Sequence, residues 1–264
     1  MIDIHTHILP GFDDGARDFD EALAMLAEAE ADGIGCIVGT PHFIPGSFAP
    51  HGKEVKEACH ELSERAAENK ISTKISCAHE IRAGAGLIPR IKSGEILAYG
   101  DKSRYLLLEM PPVDIPIWMD QMLFELELED MTPIIAHPER NRGVHKNPMR
   151  LYELIQKGCM IQITASSLLG YFGEATKLLA EKLLRNGFVH FVASDAHDSE
   201  ERKPELSKAY LKVEELSGKD SAEKLFRTHP KMALAGESII VPEPIPIESE
   251  PEDFLSRIFG IRKG

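Results

Sequence analysis

Nine residues of types that bind divalent metal are spread along the chain in short segments. His5 and His7 stand in MIDIHTH, Asp14 in GFDDG, His42 in TPHF, Glu80 in AHEIR and Glu109 in LLLEM. His137 follows in IIAHPERN, and Asp195 and His197 in VASDAH. Neutral imidazole and carboxylate suit zinc, manganese or iron. Residues two apart in an extended segment face one side, so His5 and His7 can reach one ion together, as can Asp195 and His197. Nine donors exceed the needs of a single four- to six-coordinate ion. They suit two or three ions with at least one bridging carboxylate. Asp13 competes with Asp14 for the place in the loop. His51, His60, His79, His145, His190 and His229 fall outside the pattern and read as surface or packing residues. His79 points away from Glu80 in a strand, unless the chain bends there.

Arg140 lies three residues after His137 and Arg202 five after His197, close enough to reach the mouth of such a site. A guanidinium holds two phosphate oxygens in a fork, so both fit the binding of a phosphate group. Arg142 is the alternative to Arg140, and Arg82 is a further cation near Glu80. Cys59 and Arg65 have the CxxxxxR spacing of cysteine-dependent phosphatases, but the residues between them, HELSE, carry no glycine and two acids. That stretch is helical in character and would repel a phosphate dianion, so cysteine is not the nucleophile.

The donors need a scaffold that brings strand ends together. Short Ile- and Val-rich runs alternate with longer segments of helical period. Strands are expected at 2–4, 36–39, 74–77, 105–108, 133–136, 160–163 and 190–193. Helices are expected at 18–31, 53–68, 87–92, 116–129, 148–157, 174–185, 205–216 and 221–227. Such alternation implies parallel strands with right-handed helical crossovers. A barrel of seven strands rather than eight fits best, and metal-competent residues follow six of the seven strands. In a barrel the C-terminal strand ends carry the active site. The sixth strand ends instead in a polar run with Thr164, Ser166 and Ser167.

The 264 residues, 43% of them hydrophobic, suffice for one sizeable core over 1–241. A formal charge of -13 and a pI near 5.3 argue against nucleic-acid binding, which needs a basic face. Positive charge for a phosphorylated substrate must then be local. The four cysteines show no CxxC pairing, the first residues are no signal peptide, and no apolar run is long enough to span a bilayer. A cytoplasmic protein is expected. Residues 242–264 are set apart: PEPIPIESEPED reads as a solvated linker and FLSRIFGIRKG as a frayed or docked end, or as a partner-binding peptide.

MIDIHTHILPGFDDG, TPHF, HEIR, IIAHPERNR and HFVASDAH together resemble the PHP (polymerase and histidinol phosphatase) superfamily. Within it they are similar to the bacterial tyrosine-protein phosphatases of the CpsB/YwqE type, over residues 1 to about 241. The resemblance implies a distorted seven-stranded, TIM-like α/β barrel with a trinuclear site, manganese favoured over iron or zinc. It implies His5, His7, Asp14, His42, Glu80, Glu109, His137, Asp195 and His197 as ligands, with Arg140 and Arg202 on the phosphate. Its implied substrate is the phosphotyrosine segment of a tyrosine kinase controlling capsular or exopolysaccharide synthesis, hydrolysed without a cysteine intermediate. Three rivals stand beside it: a small-molecule phosphatase such as one for histidinol phosphate, a non-catalytic binding subunit, and a metal-dependent amidohydrolase. At His79 the family pattern leads one to expect a small or polar residue.

Overall fold

The computed structural model describes residues 1–100, 102 and 104–247. Strands are β1 Ile2–Thr6, β2 Cys36–Gly39, β3 His42–Phe43, β4 Lys74–Cys77, β5 Glu80–Arg82, β6 Tyr105–Glu109, β7 Thr132–Ala136, β8 Met160–Thr164 and β9 Phe191–Ala193. Helices are α1 Phe19–Ala31, α2 Gly52–Glu68, α3 Leu87–Lys92, α4 Met119–Leu128, α5 Arg142–Lys146 and α6 Met149–Gln156. They continue with α7 Ala165–Leu168, α8 Glu174–Arg185, α9 Ser207–Ser217, α10 Lys219–Glu223 and α11 His229–Ala235.

All strand pairs are parallel, in two sheets ordered β1-β2-β4 and β3-β5-β6-β7-β8-β9. Nine strands replace the expected seven because the second and third are each interrupted. The first break falls at Thr40 and Pro41, and Pro41 has no N–H to give to a ladder. The second falls at Ala78 and His79, where the His79 N–H turns to donate to Leu97 O at 3.0 Å. Backbone bonds still cross the breaks, from Ala78 N to Gly39 O at 3.0 Å and from Glu80 N to Pro41 O at 3.1 Å. On the far side β1 meets the segment after β9: Asp195 N donates to His5 O and His7 N to Ala196 O, at 2.9 and 2.8 Å.

Most of the strands are buried on both faces, β4 at the edge of its sheet being only half-buried. On β6, Leu106 and Leu108 pack toward the helices, whereas Tyr105 and Leu107 join an inner cluster with Ile4, Val38, Ile134 and Phe191. Tyr99 belongs to that cluster too, and its hydroxyl donates to Ile4 O at 2.6 Å. Apolar residues thus fill the strands near their N-terminal ends and polar ones gather at the C-terminal ends. Local rules place several helices: Asp18 caps α1 through Glu21 N, and His51 caps α2 in a reciprocal box with Glu54.

The helix expected at 221–227 is instead α10, a π-helical turn over Lys224–Thr228, and α11. Pro230 cannot donate to the carbonyl four residues back, which favours a wider turn ahead of it. The helix expected from Pro116 starts only at Met119. Residues 242–247, expected to be a solvated linker, lie against the domain: Ile245 N donates to Asn186 O at 2.9 Å, and Ile247 is buried. The stretch FLSRIFGIRKG lies outside the described residues.

Candidate metal centre

Strand register sets the candidate ligands within about two residues of one another along the sheet. His42 lies opposite Glu80, Glu80 opposite Leu107, and Glu109 opposite Ala136, immediately before His137. An irregularity in β1 between Asp3 and Thr6 re-aims the chain before His7. His137 (φ 34°) and Asp195 (φ 55°) both adopt the left-handed backbone that non-glycine residues avoid. Each such residue costs roughly 1–3 kcal/mol and turns the chain sharply at a strand end. Gly15 lets the Asp13–Asp14 loop lie on His7, since a Cβ there would meet His7 O at 2.0 Å.

Two histidines are held in one tautomer by buried partners. His5 donates from Nδ1 to Gln162 Oε1 at 2.9 Å, and His7 from Nδ1 to Asp13 Oδ2 at 2.6 Å. Both therefore present an Nε2 lone pair, and the two Nε2 atoms are 3.3 Å apart. Glu80 Oε2 lies 3.4 Å from each, and Asp195 Oδ1 lies 3.4 and 3.5 Å away. Neighbouring ligands placed ~2.1 Å from one shared cation have about this spacing. Two facing lone pairs repel unless a proton or a cation lies between them. The donor set thus fits metal.

A second group forms around Asp14, whose Oδ1 is 3.5 Å from His42 Nε2 and 3.6 Å from His197 Nε2. A third joins His42 Nδ1 to Glu80 Oε2 at 2.8 Å and to Glu109 Oε2 at 4.0 Å. The three clusters that fit a cation share residues: His7, Asp14, His42 and His197; His5, His7 and Glu80; His42, Glu80 and Glu109. Glu80 also accepts from His137 Nε2 at 2.9 Å through its other oxygen. Glu80 thus belongs to two of the three clusters.

Burial opposes charge on Glu80, but His5, His137 and His42 outweigh it and hold the carboxyl well below the usual range. Burial likewise opposes charge on Asp195, and Arg140 and His5 overcome it. For Glu109, burial and the charge of Glu80 both push the carboxyl up. Burial, with Arg140 beside it, lowers His137 to about 4, so its imidazole is neutral at physiological pH.

Arg140 donates to Asp195 Oδ2 at 2.6 Å, and Arg202 donates to the same oxygen at 3.0 Å. Both line a cavity of about 310 Å³ with Asp14, His42, His137 and His197. Arg142 is exposed, and Arg82 pairs with Glu109 Oε2 at 2.8 Å. All nine candidate donors and the two arginines are therefore brought to one place. Cys59 is buried on α2, where a neighbouring thiol, Cys77, and burial push it up. His79 is buried facing Phe43, with Nδ1 accepting from Leu97 N at 2.9 Å. It is a strand brace outside the donor cluster.

Four residues of the site were not singled out from the sequence for these roles. Asp13, weighed only as a ligand, accepts from His7 Nδ1, from His42 N at 2.9 Å and from Gly15 N at 3.0 Å. Gln162 orients His5 from the strand that ends without a metal donor. Asp3, pushed up to about 6 by burial, accepts from Ser194 N at 3.1 Å. Glu139 holds the end of β8 through Thr164 N and Ser167 Oγ, at 2.9 and 2.6 Å. A lone Asp in IDI and a lone Gln in MIQIT, each within an apolar strand, were the available signals.

Imidazoles and carboxylates at the C-terminal edge of a parallel α/β sheet, with two guanidiniums at the mouth, define a protein suited to divalent metal and phosphate. The chain belongs to the family described as capsular polysaccharide synthesis, CpsB/CapC, whose model matches residues 1–235. It is 34% identical over 248 residues to tyrosine-protein phosphatase YwqE of Bacillus subtilis (strain 168), covering 94% of this chain and 97% of the relative. It is 36% identical over 239 residues to a putative tyrosine-protein phosphatase, CapC, of Staphylococcus aureus, covering 90% and 93%. A solved structure from work on YwqE of Bacillus subtilis and CpsB of Streptococcus pneumoniae, described as unique metal-dependent tyrosine phosphatases, superposes with a TM-score of 0.89. It is 33% identical and covers 94% of this chain and all of its own.

Proposed function

We propose that this chain is a metal-dependent protein-tyrosine phosphatase, a phosphoric monoester hydrolase acting on phosphotyrosine of a bacterial tyrosine kinase that controls capsular or exopolysaccharide synthesis. The observation that carries the reading is the shared cavity, where two guanidiniums meet the donor cluster. The ligands in this reading are His5, His7, Asp14, His42, Glu80, Glu109, His137, Asp195 and His197. Three overlapping clusters support two or three ions, with manganese favoured. The scaffold is a distorted barrel of seven staves, β2 with β3 and β4 with β5 each forming one stave. The backbone bonds between β1 and the segment after β9 support that closure. The setting is the cytoplasm: no helix among the described residues is long and apolar enough to cross a membrane, and all four cysteines are free.

Divalent cations held there supply Lewis acidity and make water acidic enough to serve as a nucleophile near neutral pH. The protein's own side chains do the rest. Arg140 and Arg202 direct N–H donors at the phosphate oxygens and offset the charge that grows on them during in-line attack. Gln162 and Asp13 hold His5 and His7 by Nδ1 with Nε2 turned toward the cluster, so little reorganisation accompanies turnover. A tyrosyl leaving group has a parent pKa of about 10, so it departs with less protonation than an alkoxide. That favours phosphotyrosine over phosphoserine.

The test is metal analysis of the purified protein coupled to hydrolysis of a phosphotyrosine peptide, with and without chelator, beside histidinol phosphate. Bound metal and chelator-sensitive hydrolysis of the peptide in preference to histidinol phosphate are expected. Undiminished activity after complete removal of metal would falsify the reading.

A further inference from the structure

Beside the metal-site cavity lies a second hollow of about 410 Å³. Asp195 and Arg202 belong to the walls of both, so the two spaces are contiguous. Its apolar side is Leu169, Tyr171 and Phe172, from the short loop between α7 and α8. Gly170 (φ 89°) and Gly173 (φ 87°) bracket the two aromatic residues. These left-handed positions, open to glycine without strain, fold the loop back so that Tyr171 N donates to Ser166 O at 3.0 Å. The consequence is two rings held toward water, Tyr171 at 69% exposure and Phe172 at 38%. Phe172 also lies under Arg140, whose guanidinium carbon is 4.7 Å from the ring centroid. It therefore belongs to the boundary between the catalytic cavity and the hollow.

The catalytic cavity, about 310 Å³, has room for one phosphorylated side chain. A residue beside that side chain in a peptide must lie outside it, and the contiguous hollow offers it one apolar wall, Leu169, Tyr171 and Phe172, opposite polar and charged residues. The geometry points to the Tyr171–Phe172 hollow as the subsite for the residue adjacent to phosphotyrosine, selecting an aromatic or large aliphatic side chain. This inference rests on the phosphatase reading above. Charge supports the same choice. Glu200 and Glu201 stand on the outer wall, and the nearby Lys203 is engaged by Glu28 at 3.4 Å. An acidic flanking residue would meet like charge there, whereas an aromatic one would stack on exposed rings.

Two synthetic phosphotyrosine peptides, identical but for Phe or Glu on both sides of the phosphotyrosine, test the subsite. Their kcat/KM values are compared with that for p-nitrophenyl phosphate, and the affinities of their non-hydrolysable difluorophosphonate forms are read by fluorescence anisotropy. The parent protein should favour the Phe peptide by about tenfold in both readouts, and Tyr171→Ser should reduce that preference to about twofold, as loss of one aromatic contact implies. Phe124→Ser, at an exposed position on α4, should keep the preference. Equal handling of the two peptides by the parent, or a preference that survives Tyr171→Ser, overturns the subsite and leaves the phosphatase reading standing. A parent protein that turns over neither peptide nor p-nitrophenyl phosphate overturns both.

Discussion

Asp13 and Asp14 are adjacent in sequence, yet their geometry predicts opposite consequences for the same substitution. Asp13 spends both oxygens inside the protein: Oδ2 on His7 Nδ1 at 2.6 Å and His42 N at 2.9 Å, Oδ1 on Gly15 N at 3.0 Å. Asp14 is 57% exposed and turns Oδ1 toward two imidazoles. Asp13→Asn keeps the shape and an acceptor but removes the charge that orients His7 and raises its basicity. Loss of such a partner behind a ligand weakens metal binding about 10–100-fold, or roughly 1.4–2.7 kcal/mol. The number of ions bound at saturation should stay the same. Asp14→Asn removes a direct donor and should lower that number. The assay is titration of metal-stripped protein with manganese against a competing chelator, with stoichiometry read by elemental analysis. Parent-like affinity in Asp13→Asn would show that this aspartate does not support His7. A lost ion in that variant would show that the two roles had been assigned the wrong way round.

Gln162→Leu should free His5 Nδ1 and weaken metal binding about tenfold, while Gln162→Glu keeps an acceptor and most of the affinity; the same titration checks both. Arg140→Lys and Arg202→Lys should each lower kcat/KM for an aryl phosphate by on the order of 10²-fold with metal content intact, because a lysine cannot form the two-pronged bond. Steady-state kinetics beside elemental analysis separates that outcome from simple loss of metal. His190 is buried, and burial lowers it to about 3 in the folded chain. Its usual value is about 6.5, so the unfolded chain takes the proton first and stability falls as pH drops from about 6.5 toward 3. At pH 5 this one group accounts for on the order of 2 kcal/mol, and urea unfolding of His190→Gln should show a correspondingly flatter acid limb than the parent. An equally steep limb in the variant would remove His190 from the cause.

Most of the candidate donors that the fold gathers were legible as polar residues placed where an apolar run stops, since parallel strands bring such ends together without further information; Asp14, in the loop GFDDG, was legible only by its type. The same logic located the two arginines. What supports the donors was harder to read, for physical reasons. Gln162 and Asp3 sit inside apolar strands, where a polar side chain is justified only by a partner on a distant segment. Asp13 and Asp14 differ in role only through the loop conformation that Gly15 permits. The interruptions at Pro41 and His79 that divide two expected strands were not legible, since a missing ladder bond and a swerve toward Leu97 are tertiary events. His79 itself, out of place in the family pattern, becomes intelligible once that swerve is known. The π-helical turn followed from Pro230, a residue visible in the sequence whose effect depends on which helix it opens.

The position of Glu80 has a wider consequence. One carboxylate lies against His5, His7, His42 and His137, side chains delivered by three separate stretches of chain. Such a hub cannot be tuned for one neighbour alone. Any adjustment to its charge or tilt is felt simultaneously by all four rings. In the proposed metal centre, occupancy of one position would therefore alter the pull exerted at the next.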